Sequence, residues 1–157
     1  MQIELRPWEE RDASSLAFFA NEPLIAKNLR AGFPSPYGLD DAKAYIAFCH
    51  QLDPAENLCL AITDDDTAVG SIGVFCRGGG TAELGYWLGK PYWGKGIVTK
   101  MVMEICGMAF QIFPIDEIFA EPYEWNAASQ RVLKKAGFVY AGAKEKSRVY
   151  TLVKGRV

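Results

Sequence analysis

Residues 82–113 read AELGYWLGKPYWGKGIVTKMVMEICGMAFQIF, and this stretch decides the fold. It begins as a strand over 82–88, passes through a loop holding Gly89, Gly94 and Gly96, and continues as a long helix with an apolar stripe. A glycine-rich loop entering a helix lets backbone N–H groups converge on an anion, because the first turn has unpaired donors and the positive end of the helix dipole lies there. The ligand expected at this point is a phosphate or pyrophosphate. Gly89, Gly94 and Lys95 also satisfy the opening of a P-loop, but Gly96 stands where a Ser or Thr must ligate magnesium, and Pro91, Tyr92 and Trp93 fit poorly around a triphosphate. Nucleotide hydrolysis is set aside on that ground.

The segment ELGYWLGKPYWGKG, residues 83–96, resembles the acetyl-CoA-binding signature of the GNAT superfamily of N-acetyltransferases, particularly its ribosomal-protein N-terminal (Rim-type) branch. The general pattern of that loop is Gln or Arg, two residues, Gly, one residue, then Gly or Ala, and its places fall on Trp93, Gly96 and Val98. Trp93 matches the YWGKG form of the branch, whereas Val98 is bulkier than the pattern and is expected to push the pyrophosphate outward. A second block, EPYEWNAASQRVLKKAGF over 121–138, resembles the superfamily's downstream helix, which opens on an Asn (Asn126) and closes on Gly-Phe (Gly137, Phe138); Ser129 and Arg131 also fit the branch. The resemblance covers residues 82–138 by motif and 1–81 by element order. It implies an α/β (α+β) GNAT fold: a mixed, mostly antiparallel sheet with helices on both faces and a V-shaped splay for CoA.

Composition agrees with one such domain over 1–157. Half of the residues are apolar, which excludes global disorder. A net charge of −2 supplies no general basic field for nucleic acid. No uncharged apolar run reaches the length needed to span a bilayer, and Glu4 and Arg6 stand where a signal peptide needs its apolar core. Cys49, Cys59, Cys76 and Cys106 are widely spaced within apolar segments, so they read as free, mostly buried thiols and not as a zinc site or disulfide framework. A reducing cytoplasm is the expected location, with no metal.

Along the chain, Ile3 and Leu5 alternate as a first strand that Pro7 ends; Asp12 is expected to cap a helix over 13–20, and Pro23 to open another. The breaker-rich stretch RAGFPSPYG, residues 30–38, reads as an ordered loop. Asp40 or Asp41 is then expected to open a helix with Ala42, Tyr45, Ile46, Phe48 and Cys49 as its stripe. Leu58 to Ile62 and Val69 to Phe75 form a hairpin about Asp64, Asp65 and Asp66, which are turn residues and not a calcium loop. Residues 115–120 read as a buried strand, and 148–154 as the last one. His50 directly follows Cys49, and adjacent helical residues do not face one another, so it reads as a polar helix position.

Acetyl transfer to an amine needs an amine stripped of its proton, a donor for the oxyanion, and a proton for the departing thiolate. An alkylammonium has a pKa near 10, so deprotonation at pH 7 is a barrier of several kcal/mol. Glu83 occupies the place where acidic residues act as base in parts of the superfamily, and burial against aromatics is expected to tune it; the alternative is a strand-end carboxylate in a salt bridge. Many family members protonate the thiolate with a tyrosine seven residues after the asparagine, but Leu133 stands there. Ser129 is the nearest substitute, against a plain helix-terminal hydroxyl, with Tyr123 and Tyr92 in reserve. The resemblance further implies that Gly94, Lys95, Gly96, Ile97, Val98 and Thr99 hold the CoA pyrophosphate through their amides. Asn126 is expected to bind the pantetheine arm, with oxyanion donors among the amides of Tyr86, Trp87 and Leu88.

In the family, the region matching residues 20–50 borders the acceptor, which makes Phe33 and Tyr37 candidates for substrate contact beside a loop-packing role. The acceptor is an amine, on a small molecule or a protein N-terminus. The rival reading is a CoA-binding regulatory module without turnover, kept open by Leu133 and Val98. Exposed aromatics are equally open to an acceptor pocket or a homodimer.

Overall fold

A computed structural model describes residues 1–155. Seven strands form one sheet: β1 (Ile3–Pro7), β2 (Asn57–Asp64), β3 (Thr67–Gly78), β4 (Thr81–Leu88), β5 (Glu117–Ala120), β6 (Val139–Ala143) and β7 (Arg148–Val153). Their order is β1-β2-β3-β4-β5-β7-β6. All neighbours are antiparallel except β4 and β5, which are parallel. Five helices accompany the sheet: α1 (Ala13–Ala20), α2 (Pro23–Asn28), α3 (Leu39–Gln51), α4 (Ile97–Ile112) and α5 (Ala127–Lys135). This is the mixed α/β architecture expected from the sequence.

Both faces of the sheet are covered, and alternation within the strands feeds two cores. Leu60, Ile62, Ile72, Val74, Leu84 and Leu88 pack with α4 and with Leu133 of α5, while Ala61 and Ala68 pack with Trp8, Leu16 of α1 and Ile46 of α3. Central strand β3 is therefore buried on both sides from Ala68 to Val74. Gly70 is a steric necessity, since a Cβ there would lie 2.6 Å from the Trp87 carbonyl oxygen, whereas a Cβ on Gly73 would lie 2.5 Å from the Phe75 ring and force that side chain to shift. Helix α4 buries Ile97, Met101, Val102, Ile105, Cys106, Ala109 and Phe110, a three-four spacing that keeps one stripe against the sheet.

The hairpin between β2 and β3 turns on Asp65 and Asp66, both at positive φ (45° and 72°), a conformation that matches the twist of the flanking strands. The aspartates also serve ion pairs. Asp66 accepts from Arg6 Nε at 2.7 Å and from Arg11 Nη2 at 2.7 Å, and Asp64 accepts from the Tyr92 hydroxyl at 2.8 Å. Among the described residues no group of three or more His, Cys, Asp and Glu side chains is placed to hold a metal ion.

Several local expectations are corrected. Asp12 precedes α1 but makes no cap; its carboxylate, 3% exposed, is taken by both Nη atoms of Arg6 at 2.8 Å and by the Glu9 N–H. Helix α3 is capped at Gly38, whose N–H donates to Asp41, and Phe48 faces outward. Strand β6 has no counterpart in the sequence reading because VYAGA is mostly exposed and bent by Gly142 at φ 136°. Cys49 and Cys59, distant in sequence, bring their sulfurs within 3.1 Å as free thiols, while burial pushes the Cys106 thiol up to about 12. His50 is exposed and its Nε2 donates to the Trp8 carbonyl at 2.7 Å. No helix among the described residues is long and apolar enough to cross a membrane.

Candidate active site

The parallel pairing of β4 with β5 runs for three register pairs, Thr81 with Glu117, Ala82 with Ile118 and Glu83 with Phe119. Beyond Glu83, β4 continues to Leu88 without a strand neighbour on that side, so the backbone groups of alternate residues, Leu84, Tyr86 and Leu88, point to an edge that no strand covers. A groove of about 640 Å³ follows this free edge, from Glu83 and Arg30 at one end to Gly94, Gly96 and Thr99 at the other, with Asn126, Ser129 and Val132 along one wall.

At the far end, the loop after β4 is tied back to the strand: the Trp93 indole N–H donates to the Leu88 carbonyl at 2.7 Å. Gly94 and Gly96 both sit at φ 75°, where a Cβ would meet nothing within 4 Å but the backbone conformation itself disfavours any other residue. Gly96 is the N-cap of α4 and has no side chain to satisfy the first turn. The amides of Gly94, Lys95 and Gly96 make no backbone hydrogen bond among the described residues, and those of Ile97, Val98 and Thr99 lie in the helix's first turn. Six consecutive N–H groups at a positive helix end suit an anion. Val98 lines this part of the groove but is partly buried and packs against the main core, so its bulk is shared with the interior.

Asn126 caps α5 by accepting the Ser129 N–H at 3.1 Å. The Ser129 hydroxyl lies 2.5 Å from the Tyr86 hydroxyl on β4. Burial pushes the Tyr86 phenol up to about 12, against the opposing pull of the Ser129 hydrogen bond, so the phenol stays protonated at neutral pH. Tyr86 therefore joins Ser129 as a proton-bearing group on the groove wall, a pairing invisible in sequence because 43 residues separate the two. Leu133 is fully buried in the core. Of the reserve tyrosines, Tyr92 is committed to Asp64, while Tyr123 lines the groove and stacks on Trp125 with ring centroids 4.4 Å apart. The Trp125 N–H reaches the Asn28 side-chain oxygen at 3.1 Å, joining the α5 wall to the end of α2.

Glu83 projects from the same face of β4 as Gly85 and Trp87. Its surroundings differ from expectation: guanidinium groups, not aromatic rings, meet the carboxylate. Arg77 donates to Oε1 through Nε at 3.1 Å, with Nη2 3.0 Å away, and Arg30 pairs with Oε2. The Glu83 side chain is only 12% exposed. Trp87 packs toward the second core, and Gly85 leaves open space beside the carboxylate. The Phe33 and Tyr37 rings meet at a tilt of 33° with centroids 5.1 Å apart; Tyr37 is buried in the second core and neither lines the groove. Their positions favour packing over substrate contact. The groove residues that sequence reasoning missed are Arg30, Arg77 and Tyr86's partnership with Ser129; the arginines carry no motif and are assembled only by strand pairing and the loop after α2.

The groove suits an elongated ligand with an anionic group at one end, and comparison with known proteins gives the family. Residues 2–139 match the family described as the acetyltransferase (GNAT) domain. The chain is 25% identical over 162 residues to the uncharacterized N-acetyltransferase p20 of Bacillus licheniformis, covering 99% of this chain and 88% of that one. Among solved structures it superposes on Mycobacterium smegmatis RimJ, in complex with CoA-disulfide, with a TM-score of 0.82 at 20% identity, covering 97% of this chain and 82% of that one. The aminoglycoside acetyltransferase AAC(6')-Ib, in complex with ribostamycin and coenzyme A, gives 0.79 at 18% identity, covering 98% and 94%. The chain belongs to the GNAT acetyltransferase family.

Proposed function

We infer that this protein transfers an acetyl group from acetyl-CoA directly to the amine of a small molecule or protein N-terminus, without a covalent acetyl-enzyme. The observation that carries this reading is the free edge of β4, with an anion cradle at Gly94–Thr99 beyond one end and a carboxylate, Glu83, at the other. Acetyl-CoA supplies an acetyl group already activated as a thioester, so one C–N bond is formed for one C–S bond broken. The chain's residues do the rest. Amides from Gly94 to Thr99 bind the pyrophosphate, Asn126 borders the pantetheine arm, and the amides of Tyr86 and Leu88, which point to the free edge while that of Trp87 is turned to β3, offer oxyanion donors. Glu83 accepts the proton that the amine must lose, and the Ser129 hydroxyl, backed by Tyr86, gives one to the leaving sulfur.

Thiol release from acetyl-CoA across a panel of amines and short peptides tests the reading. Glu83→Gln is expected to lower turnover by about 10²-fold or more while calorimetric acetyl-CoA binding persists. A second reading, a CoA-binding module without turnover, is favoured by one observation, the closure of both Glu83 oxygens by arginines. Tight acetyl-CoA binding with no acceptor turned over would establish that module instead.

A further inference from the structure

We propose that the acceptor carries a carboxylate close to its amine, and that Arg30 selects it by leaving Glu83 for that carboxylate. The inference rests on the transferase reading above and names its substrate class. A carboxylate has about four lone-pair sites, so the guanidinium contacts on the two Glu83 oxygens leave it able to take a proton but crowd the approach of an amine to it. Withdrawal of one arginine opens that approach. The two are not equivalent. Arg77 is held on β3, the register neighbour strand of Glu83, with its guanidinium 5.7 Å from the Phe75 ring centroid. Arg30 sits in the loop after α2 with its side chain 74% exposed, and among the described residues its guanidinium bonds no other group.

The charge of this end of the groove decides what displaces Arg30. Arg30 and Arg77 face the single acid Glu83, leaving one positive charge in excess. The other nearby acids are already paired, Glu121 with Lys144 at 2.9 Å and Glu22 with Lys90 at 3.8 Å. A polycationic acceptor meets repulsion here. An anionic one is attracted, and a carboxylate matches the planar fork of a guanidinium. When Arg30 turns to the acceptor's carboxylate, one ion pair replaces another, and Glu83 Oε2 is uncovered beside the amine it must deprotonate. Specificity and base activation thus come from the same movement. Two sources share this chemistry: a peptide whose first residue is acidic, and a free amino acid.

The test measures thiol release from acetyl-CoA for matched acceptors: an amidated peptide beginning with Asp and its Asn twin, free aspartate and asparagine amide, and spermidine and kanamycin. Native chain, Arg30→Ala and Arg30→Lys are compared, and calorimetry follows binding of the acetylated Asp and Asn peptides, a readout that needs no turnover. The expected result is kcat/KM about tenfold higher for the acidic member of at least one pair. That ratio falls toward one in Arg30→Ala, is partly retained in Arg30→Lys, and the acetylated peptides show the same order of binding. Which pair discriminates identifies the source. A native ratio near one, a preference for the polycations, or an equal loss for both members in Arg30→Ala overturns the proposal and leaves acetyl transfer standing. Absence of turnover with every acceptor overturns the transferase reading, and the peptide-binding preference still decides for or against Arg30.

Discussion

At the residue scale, burial and pairing decide which polar groups are chemically available. Tyr86 and Ser129 share one short hydrogen bond, so they should behave as a unit: Ser129→Ala and Tyr86→Phe are each expected to reduce turnover by about 10- to 100-fold, and the double variant little more than the worse single one. Acetyl-CoA affinity, followed by calorimetry, should change little. Because the Tyr86 phenol lies near 12, the rate should show no alkaline fall from its ionisation below about pH 10. Asp12 illustrates pairing used for stability. Burial pushes its carboxyl up, but the paired Arg6 guanidinium and the Glu9 N–H outweigh that and hold it below the ordinary aspartate range. A depressed folded pKa contributes stability that is present above the ordinary value near 4 and is lost as pH falls through the folded one. Asp12→Asn removes the buried partner of Arg6, which keeps Asp66 and Glu9, and should cost about 1–2 kcal/mol in urea unfolding at pH 7. The difference from the native chain should narrow below about pH 4.

At the element scale, the strand–loop–helix from β4 into α4 was legible because its glycines, apolar stripe and flanking motif agree with one another. Gly96 at φ 75° is required by conformation, so Gly96→Val should weaken acetyl-CoA binding by misdirecting the amides of the first turn, with a cost of about 1–2 kcal/mol from the left-handed backbone alone. Gly85 borders open space beside Glu83. Its Cβ would meet nothing within 4 Å, so Gly85→Ala should keep both melting temperature and most activity, whereas Gly85→Leu should keep the fold and lose turnover by filling the groove. What stayed hidden is as instructive. Strand β6 escaped because an exposed, glycine-bent edge strand has neither alternation nor a buried face. Asp12 looked like a helix cap, since Asp before an apolar run is a good capping signal, but a local signal does not foresee an arginine arriving from β1. The Gly94 end of the groove is built from one contiguous segment and was readable. The Glu83 end joins β3, β4 and the loop after α2, so Arg30 and Arg77 had no sequence pattern to betray them.

At the scale of the whole molecule, the groove lies between strands contributed by residues 3–88 and those contributed by 117–153, packed together through α4. A ligand that binds this folded arrangement alone raises stability by about 2.7 kcal/mol at a hundredfold excess over its Kd. Acetyl-CoA is therefore expected to raise the melting temperature by several degrees in a thermal scan, and Gly96→Val should blunt the rise. The three register pairs joining β4 to β5 form the shortest seam in the sheet, far shorter than the hairpin of β2 and β3. A seam so brief is where the two halves part first. Amide hydrogens along Glu117–Ala120 should exchange with deuterium sooner than those of β3, and a cofactor lodged in the gap should slow them before it slows anything else, acting as a clasp across a joint the polypeptide leaves only lightly sewn.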